Sequence, residues 1–360
     1  MVLDDDEIEH PPVECVFTTE EEVGLNGAKA LDKSVLKART MINMDSEDEG
    51  VATVSCAGGL RVQFTKEIQR TTVQGSLLTL KVEGLLGGHS GQDIDKERQN
   101  ADLLMARMIQ RLLKETKGQL VSFNGGTKDN AIPRECEASL IYESDEEAAK
   151  AEELACELAE TYAEELTPAE PDFSCEISCE TNRTAEAIPQ DAAKEFICAM
   201  RLAPNGIQKR NIKMDGFVVV SLNLGVVRTE EDRIVMIFSP RSSVASLQED
   251  TKERLNTLAE TFGFTVSHSS EYPGWSFKED SPVREICKES YKELFGEDLK
   301  IEAIHAGLEC GLFSDAIKGL DAIAIGPTIA NCHTPDEYLT LDSFERFYEF
   351  LKDILSRLAK

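Results

Sequence analysis

A change of texture in mid-chain limits the folds open to this sequence. Up to about residue 64, and again from about residue 270, short apolar strands alternate with helices, whereas residues 65–269 read as longer strands and longer helices in a different rhythm. At 360 residues the chain exceeds what one ordinary hydrophobic core organises. The expected architecture is therefore discontinuous: an α/β domain interrupted by an inserted α+β domain.

In the leading part, Val13 to Thr19 is β-prone and runs into Glu20-Glu21-Glu22-Val23-Gly24, which predicts a strand ending in a loop. A helix is expected over Ala28 to Lys37, then a second strand over Thr40 to Met44 that closes on Asp45-Ser46-Glu47-Asp48-Glu49-Gly50. Two acidic clusters thus follow two strands. In open α/β sheets ligands gather at the edge formed by strand carboxyl ends.

Within the insertion, strands are expected at Ser76 to Val82, Leu120 to Phe123, Glu137 to Tyr142, Phe173 to Cys179, Phe217 to Val227 and Arg233 to Phe238. One helix carries Leu104, Met105, Met108, Ile109 and Leu112 on a single stripe, a second opens with Ser144 and Glu147 in capping-box spacing, and a third lies near Thr251 to Thr261. After Tyr272-Pro273-Gly274-Trp275 the α/β texture returns. It brings a helix at Pro282 to Leu294, strands at Ile301 to Ile304 and Ala322 to Ile325, and a terminal helix with Asp342 and Glu345 as a capping box. Phe344, Phe347, Tyr348, Leu351, Ile354, Leu355 and Leu358 form its apolar face.

Composition excludes several functions. With 67 acidic against 38 basic residues the net charge is -29, a surface that repels nucleic-acid phosphates and attracts small cations. No run approaches the roughly 20 apolar residues that span a bilayer. Ten cysteines without a C-x-x-C pair or framework spacing predict reduced thiols, and no secretory or transit signal is legible, so a cytoplasmic protein is expected.

Only five histidines are available for metal or acid-base chemistry: His10, His89, His268, His305 and His333. Three sit in polar or glycine-flanked loops, the common home of ligands on rigid scaffolds. These are Gly87-Gly88-His89-Ser90-Gly91, His305-Ala306-Gly307-Leu308-Glu309-Cys310-Gly311 and Asn331-Cys332-His333-Thr334. Taken bare, the first is equally a tight turn, His305 a structural histidine, and Glu21-Glu22 a solvated turn.

Together with Phe123-Asn124-Gly125-Gly126-Thr127, Asn130-Ala131-Ile132-Pro133-Arg134 and Ile325-Gly326-Pro327-Thr328, these stretches resemble, in order along nearly the whole chain, the signature segments of the M20 metallopeptidases, and within them the aminoacyl-histidine dipeptidase group. The resemblance implies a zinc-peptidase-like catalytic domain from residues 1–64 and 270–360, and a lid and dimerisation domain from residues 65–269. It implies two Zn2+ per subunit, a small peptide substrate and a homodimer. Glu21 would be the general base toward a metal-activated water, Glu22 and His333 ligands of one zinc, and Asp45 a ligand of the other. His89 would steady the tetrahedral intermediate, in such folds usually in the partner subunit's site. Asn130, Arg241, Glu309 and His305 would hold the ends of the dipeptide.

The family pattern also includes a leading His-x-Asp motif and a bridging Asp. No histidine of this sequence has Asp two positions on, so a catalytic domain incomplete at its N-terminus, weak zinc binding and negligible activity of the chain alone are expected. Two alternatives follow: an inactive homodimerising relative, and a thiol hydrolase using Cys310 or Cys332 with His305 or His333.

Overall fold

A computed structural model describes the chain except residues 1, 2, 4–7, 22, 23, 213–215 and 333. The backbone divides into two compact units: Met1–Gly58 with Ser242–Ala245 and Tyr272–Lys360, and Gly59–Arg241 with Ser246–Glu271. Among the described residues no helix is long and apolar enough to cross a membrane.

The first unit is built on a sheet in the order Thr40–Asn43, Asp321–Ala324, Val51–Cys56, Lys300–Ile304. The first two strands are parallel, the last two are parallel, and the two pairs run in opposite senses. Val51–Cys56 is buried along nearly its whole length, so it lacks the alternation that marks a half-exposed strand. Helix Pro282–Phe295 starts at Ser281, whose hydroxyl caps Arg284 N–H, and ends on Gly296 in the left-handed conformation. It packs against terminal helix Leu341–Leu358, Tyr291 meeting Phe350 edge-on.

Three local expectations for this unit are corrected, the first being the helix over Ala28 to Lys37: the α-helix ends at Ala30 and only a short 3-10 turn, Lys33–Val35, follows. Val13 to Thr19 forms no strand; Val13, Val16 and Phe17 are exposed and no ladder pairs them, so β-propensity finds no neighbour to act on. The terminal helix starts at Leu341 after Thr340, which puts Asp342 inside the first turn instead of at the cap. There Ser343 Oγ accepts from Thr328 N–H at 2.9 Å, and the buried stripe runs Ser343, Phe347, Phe350 and Ile354, leaving Phe344 exposed.

The second unit is a long, largely antiparallel sheet in the order Thr265–Tyr272, Gly58–Glu67, Arg233–Ser242, Val218–Thr229, Gln119–Gly125, Cys136–Tyr142, Thr71–Glu83, Ser174–Ala187. Strand Gly206–Arg210 joins Val218–Thr229 from the side. Helices Ala101–Glu115, Asp145–Leu166 and Gln190–Leu202 pack into one core with Leu78, Leu80, Val82, Phe123 and Leu140. Phe123 meets Phe196 of the third helix edge-on. The predicted stripe Leu104, Met105, Met108, Ile109 and Leu112 is buried throughout. Ser144 caps Glu147 N–H as expected, whereas the Glu147 carboxylate turns to Lys117 N–H at 3.0 Å, so the box is half made.

Candidate functional site

Parallel pairing decides where Asp45 goes. Because Thr40–Asn43 and Asp321–Ala324 run side by side, Thr40 facing Asp321 and Asn43 facing Ala324, the loops after both strands leave the same edge of the sheet. One loop carries Asp45, and the other runs from Ile325 to Cys332. They are sewn together: Ile325 N–H donates to Asn43 O at 3.0 Å and Ile329 N–H to Glu47 O at 2.9 Å. At Gly326 a Cβ would fall 1.8 Å from Ser46 O, a contact that excludes any other residue. The Cys332 thiol hydrogen-bonds Glu47. Asp45 is exposed, and Asn43 Oδ1 accepts its N–H at 3.0 Å. The chain therefore reaches the position before His333 beside the Asp45 loop; His333 itself lies outside the described residues.

Glu21 sits half-buried in a turn whose carbonyl takes Gly24 N–H at 3.1 Å and Leu25 N–H at 2.8 Å. Its flanks are unusual: Glu20 and Leu25 both have positive φ, 55° and 60°. Such conformations cost non-glycine residues on the order of 1 kcal/mol each and concentrate at functional sites. Glu22 lies outside the described residues. Helix Asn26–Ala30 follows and packs its Ala28 with Phe313 of helix Glu309–Ala316 and with Ile317 just after it, which fixes the turn within this unit.

His305 is buried and follows Lys300–Ile304, a strand antiparallel to Asp321–Ala324, so it leaves the opposite edge from Asp45. The segment after it threads tightly: a Cβ on Gly311 would lie 2.4 Å from Pro273 O. Glu309 opens its helix 9% exposed, with Oε1 lacking a hydrogen-bond partner. A buried carboxylate oxygen in that state suits a cationic group.

In the second unit the structure gathers His89, Asn130 and Arg241. Gly88–His89 pairs with Ala131–Ile132, and Ser90 N–H donates to Asn130 O at 2.9 Å. Ser239, two residues before Arg241 on the same strand, donates to Asp129 O at 2.9 Å, and Asp129 pairs with Arg61 at 2.8 Å. Gly88 has φ 141° and a Cβ there would strike Asp93 and Arg98, so glycine is required. His89 Nδ1 accepts from Gly91 N–H at 3.2 Å and Gln92 N–H at 3.0 Å, which leaves the neutral ring's proton on Nε2. Burial and then the Arg241 charge lower its pKa below 6.5, against a smaller opposing pull from Asp93. Asp93, which accepts His89 N–H at 2.8 Å, and Glu47 were not singled out from the sequence. The i,i+4 spacing of His89 and Asp93 was the available signal for the former.

The thiol reading is corrected. Cys310 is fully buried, and burial, then the Cys56 thiol, hold its pKa well above 9. Desolvation and the Glu47 carboxylate push Cys332 up to about 11. Neither is a ready thiolate. All ten cysteines are free.

The donor types at the Asp45 edge suit a divalent metal ion: an exposed carboxylate on one loop and, on the adjoining one, the run that leads to residue 333. Among the described residues no three metal-binding side chains cluster, Glu22 and His333 not being among them.

The model of peptidase family M20/M25/M40 matches residues 2–357. The chain is 33% identical to the cytosol non-specific dipeptidase of Escherichia coli (strain K12), over 99% of this chain and 74% of that protein. It superimposes with a TM-score of 0.94 on the crystal structure of aminoacylhistidine dipeptidase from Vibrio alginolyticus, at 34% identity, over 99% of this chain and 73% of the other. None of these matches bears out the expected absence of a leading catalytic segment. A match of this extent, on a mixed α/β fold carrying every described signature segment, makes the chain a member of peptidase family M20/M25/M40.

Proposed function

We propose that the chain hydrolyses dipeptides, Xaa-His dipeptides among them, in a zinc-dependent reaction. The observation that carries this reading is the shared sheet edge from which the Asp45 loop and the Ile325–Cys332 run both leave. The dipeptidase names of the two relatives support it.

Glu22 and His333 would hold one zinc and Asp45 the other. When bound, the metal lowers the pKa of a water toward neutrality and polarises the peptide carbonyl. Glu21 would act as the general base, accepting a proton from the attacking water and returning it to the amine that leaves. His89 offers Nε2–H, as a neutral donor, to the oxygen that gains negative charge. Asn130, Arg241, Glu309 and His305 would be the candidates for holding the dipeptide's ends, since an Arg clamps a carboxylate and an acid holds an ammonium group. A cytoplasmic homodimer assembled through the second unit belongs to the same reading.

The test is release of histidine from β-alanyl-histidine and alanyl-histidine by the full chain with and without added zinc. Zinc-dependent release that a chelator stops and Glu21→Gln abolishes is the expected result. Turnover indifferent to both would overturn the assignment, and so would a folded chain that takes up no zinc and cleaves neither dipeptide.

A further inference from the structure

One buried side chain grips both ends of the segment that carries His89. Glu170 lies just beyond helix Asp145–Leu166 and is 3% exposed. Its own backbone is fixed, Glu170 N–H donating to Leu166 O at 2.9 Å and Phe173 N–H to Glu170 O at 3.2 Å. Carboxylate Oε2 accepts Leu86 N–H at 2.7 Å, and Oε1 accepts Gln99 N–H at 2.9 Å. Residues 86 and 99 bracket Gly88, His89, Ser90 and the short helical turn Ile94–Lys96.

Inside the bracket, local bonds add to the pairing of Gly88–His89 with Ala131–Ile132 and of Ser90 N–H with Asn130 O. Asp93 takes His89 N–H, and the His89 ring takes the amides of Gly91 and Gln92. Outside it, Arg134 Nε donates to Leu85 O at 3.0 Å. A carboxylate has two oxygens, one for each amide, and charged acceptors make the shorter and stronger bonds. A glutamine at 170 would present one oxygen and one NH2, leaving one of the two amides without an acceptor.

We propose that Glu170 is a positioning residue for His89: by clasping the amides of Leu86 and Gln99 it closes segment 86–99, so that the imidazole is held in one orientation with Nε2 as its donor. The value of that orientation rests on the role given to His89 above; the clasp does not.

The experiment compares the full chain with its Glu170→Gln variant by amide hydrogen exchange and by NMR of the histidine rings. In the variant, exchange at Leu86 or Gln99 should accelerate about tenfold or more. The His89 titration midpoint should rise toward 6.5 as its surroundings loosen. In turnover, kcat should fall with KM little changed. A lowered melting temperature with His89 ring signals unmoved would overturn the proposal, because that is what a merely structural role gives. Should the variant fail to fold, the unsubstituted protein decides: slow exchange at both Leu86 and Gln99 supports the clasp, and exchange as fast as in an unstructured peptide overturns it. A shifted ring in a chain that cleaves no dipeptide would keep the clasp and remove the peptidase reading.

Discussion

At the scale of single residues, the imidazole of His89 is set up to donate from Nε2, with its pKa held below 6.5. Two backbone amides occupy Nδ1, and both burial and Arg241 oppose a proton there. Because its folded pKa is depressed, the stability it contributes is complete above pH 6.5 and declines as pH falls from there through the folded value. NMR titration should give a midpoint below 6.5, and Arg241→Gln should move it upward. A midpoint at or above 6.5 in the unsubstituted chain would contradict the assignment of the ring as a neutral donor. Glu21→Gln keeps the turn's backbone bonds, which use the carbonyl, yet removes the carboxylate proposed as the base. Turnover should drop by about two to four orders of magnitude with zinc affinity little changed.

At the scale of elements, helix Ala101–Glu115 shows how capping and burial combine. Asn100 is almost fully buried; its Oδ1 accepts Asp102 N–H and Leu103 N–H, while its amide donates to Leu224 O at 2.8 Å. Asn100→Ala should cost about 2 kcal/mol in chemical denaturation of the second unit. Next to it, desolvation pushes the Asp102 carboxyl up to about 8, outweighing the Cys136 thiol and Arg228. A raised folded pKa gives stability that is complete below the unfolded value near 4 and is lost as pH rises through about 8. Denaturation midpoints should fall between those pH values, and Asp102→Asn should flatten the profile. An unchanged profile in the variant would show that the slope comes from other groups.

The same elements show how far the sequence could be read. Period 3.6 exposed the helix at 101–115, and the signature segments exposed the family, because each leaves a local trace. Strand Val51–Cys56 left none, being buried on both faces. Strand Gly58–Glu67 was hidden by its opening Gly-Gly although Leu60, Val62 and Phe64 alternate in plain view, and helix Gln190–Leu202 by its short stripe of Phe196, Ile197 and Met200. Val13 to Thr19 had the reverse fault: local propensity without a partner strand. The clustering of His89 with Arg241 depends on contacts more than a hundred residues apart in the chain, which no local pattern encodes.

At the scale of the whole molecule, a net charge of -29 surrounds any cation site with a negative field. Salt screens such fields over about 10 Å at 0.1 M. Apparent zinc affinity should therefore weaken severalfold between 0.05 and 0.5 M sodium chloride, measured at fixed pH; insensitivity to salt would mean that only the immediate donors matter. Those donors are tested most directly by calorimetric titration of the full chain with zinc, alongside Asp45→Asn and His333→Ala. Each substitution should weaken binding by about tenfold or more while circular dichroism stays unchanged. Zinc binding of equal strength in all three proteins would place the metal elsewhere.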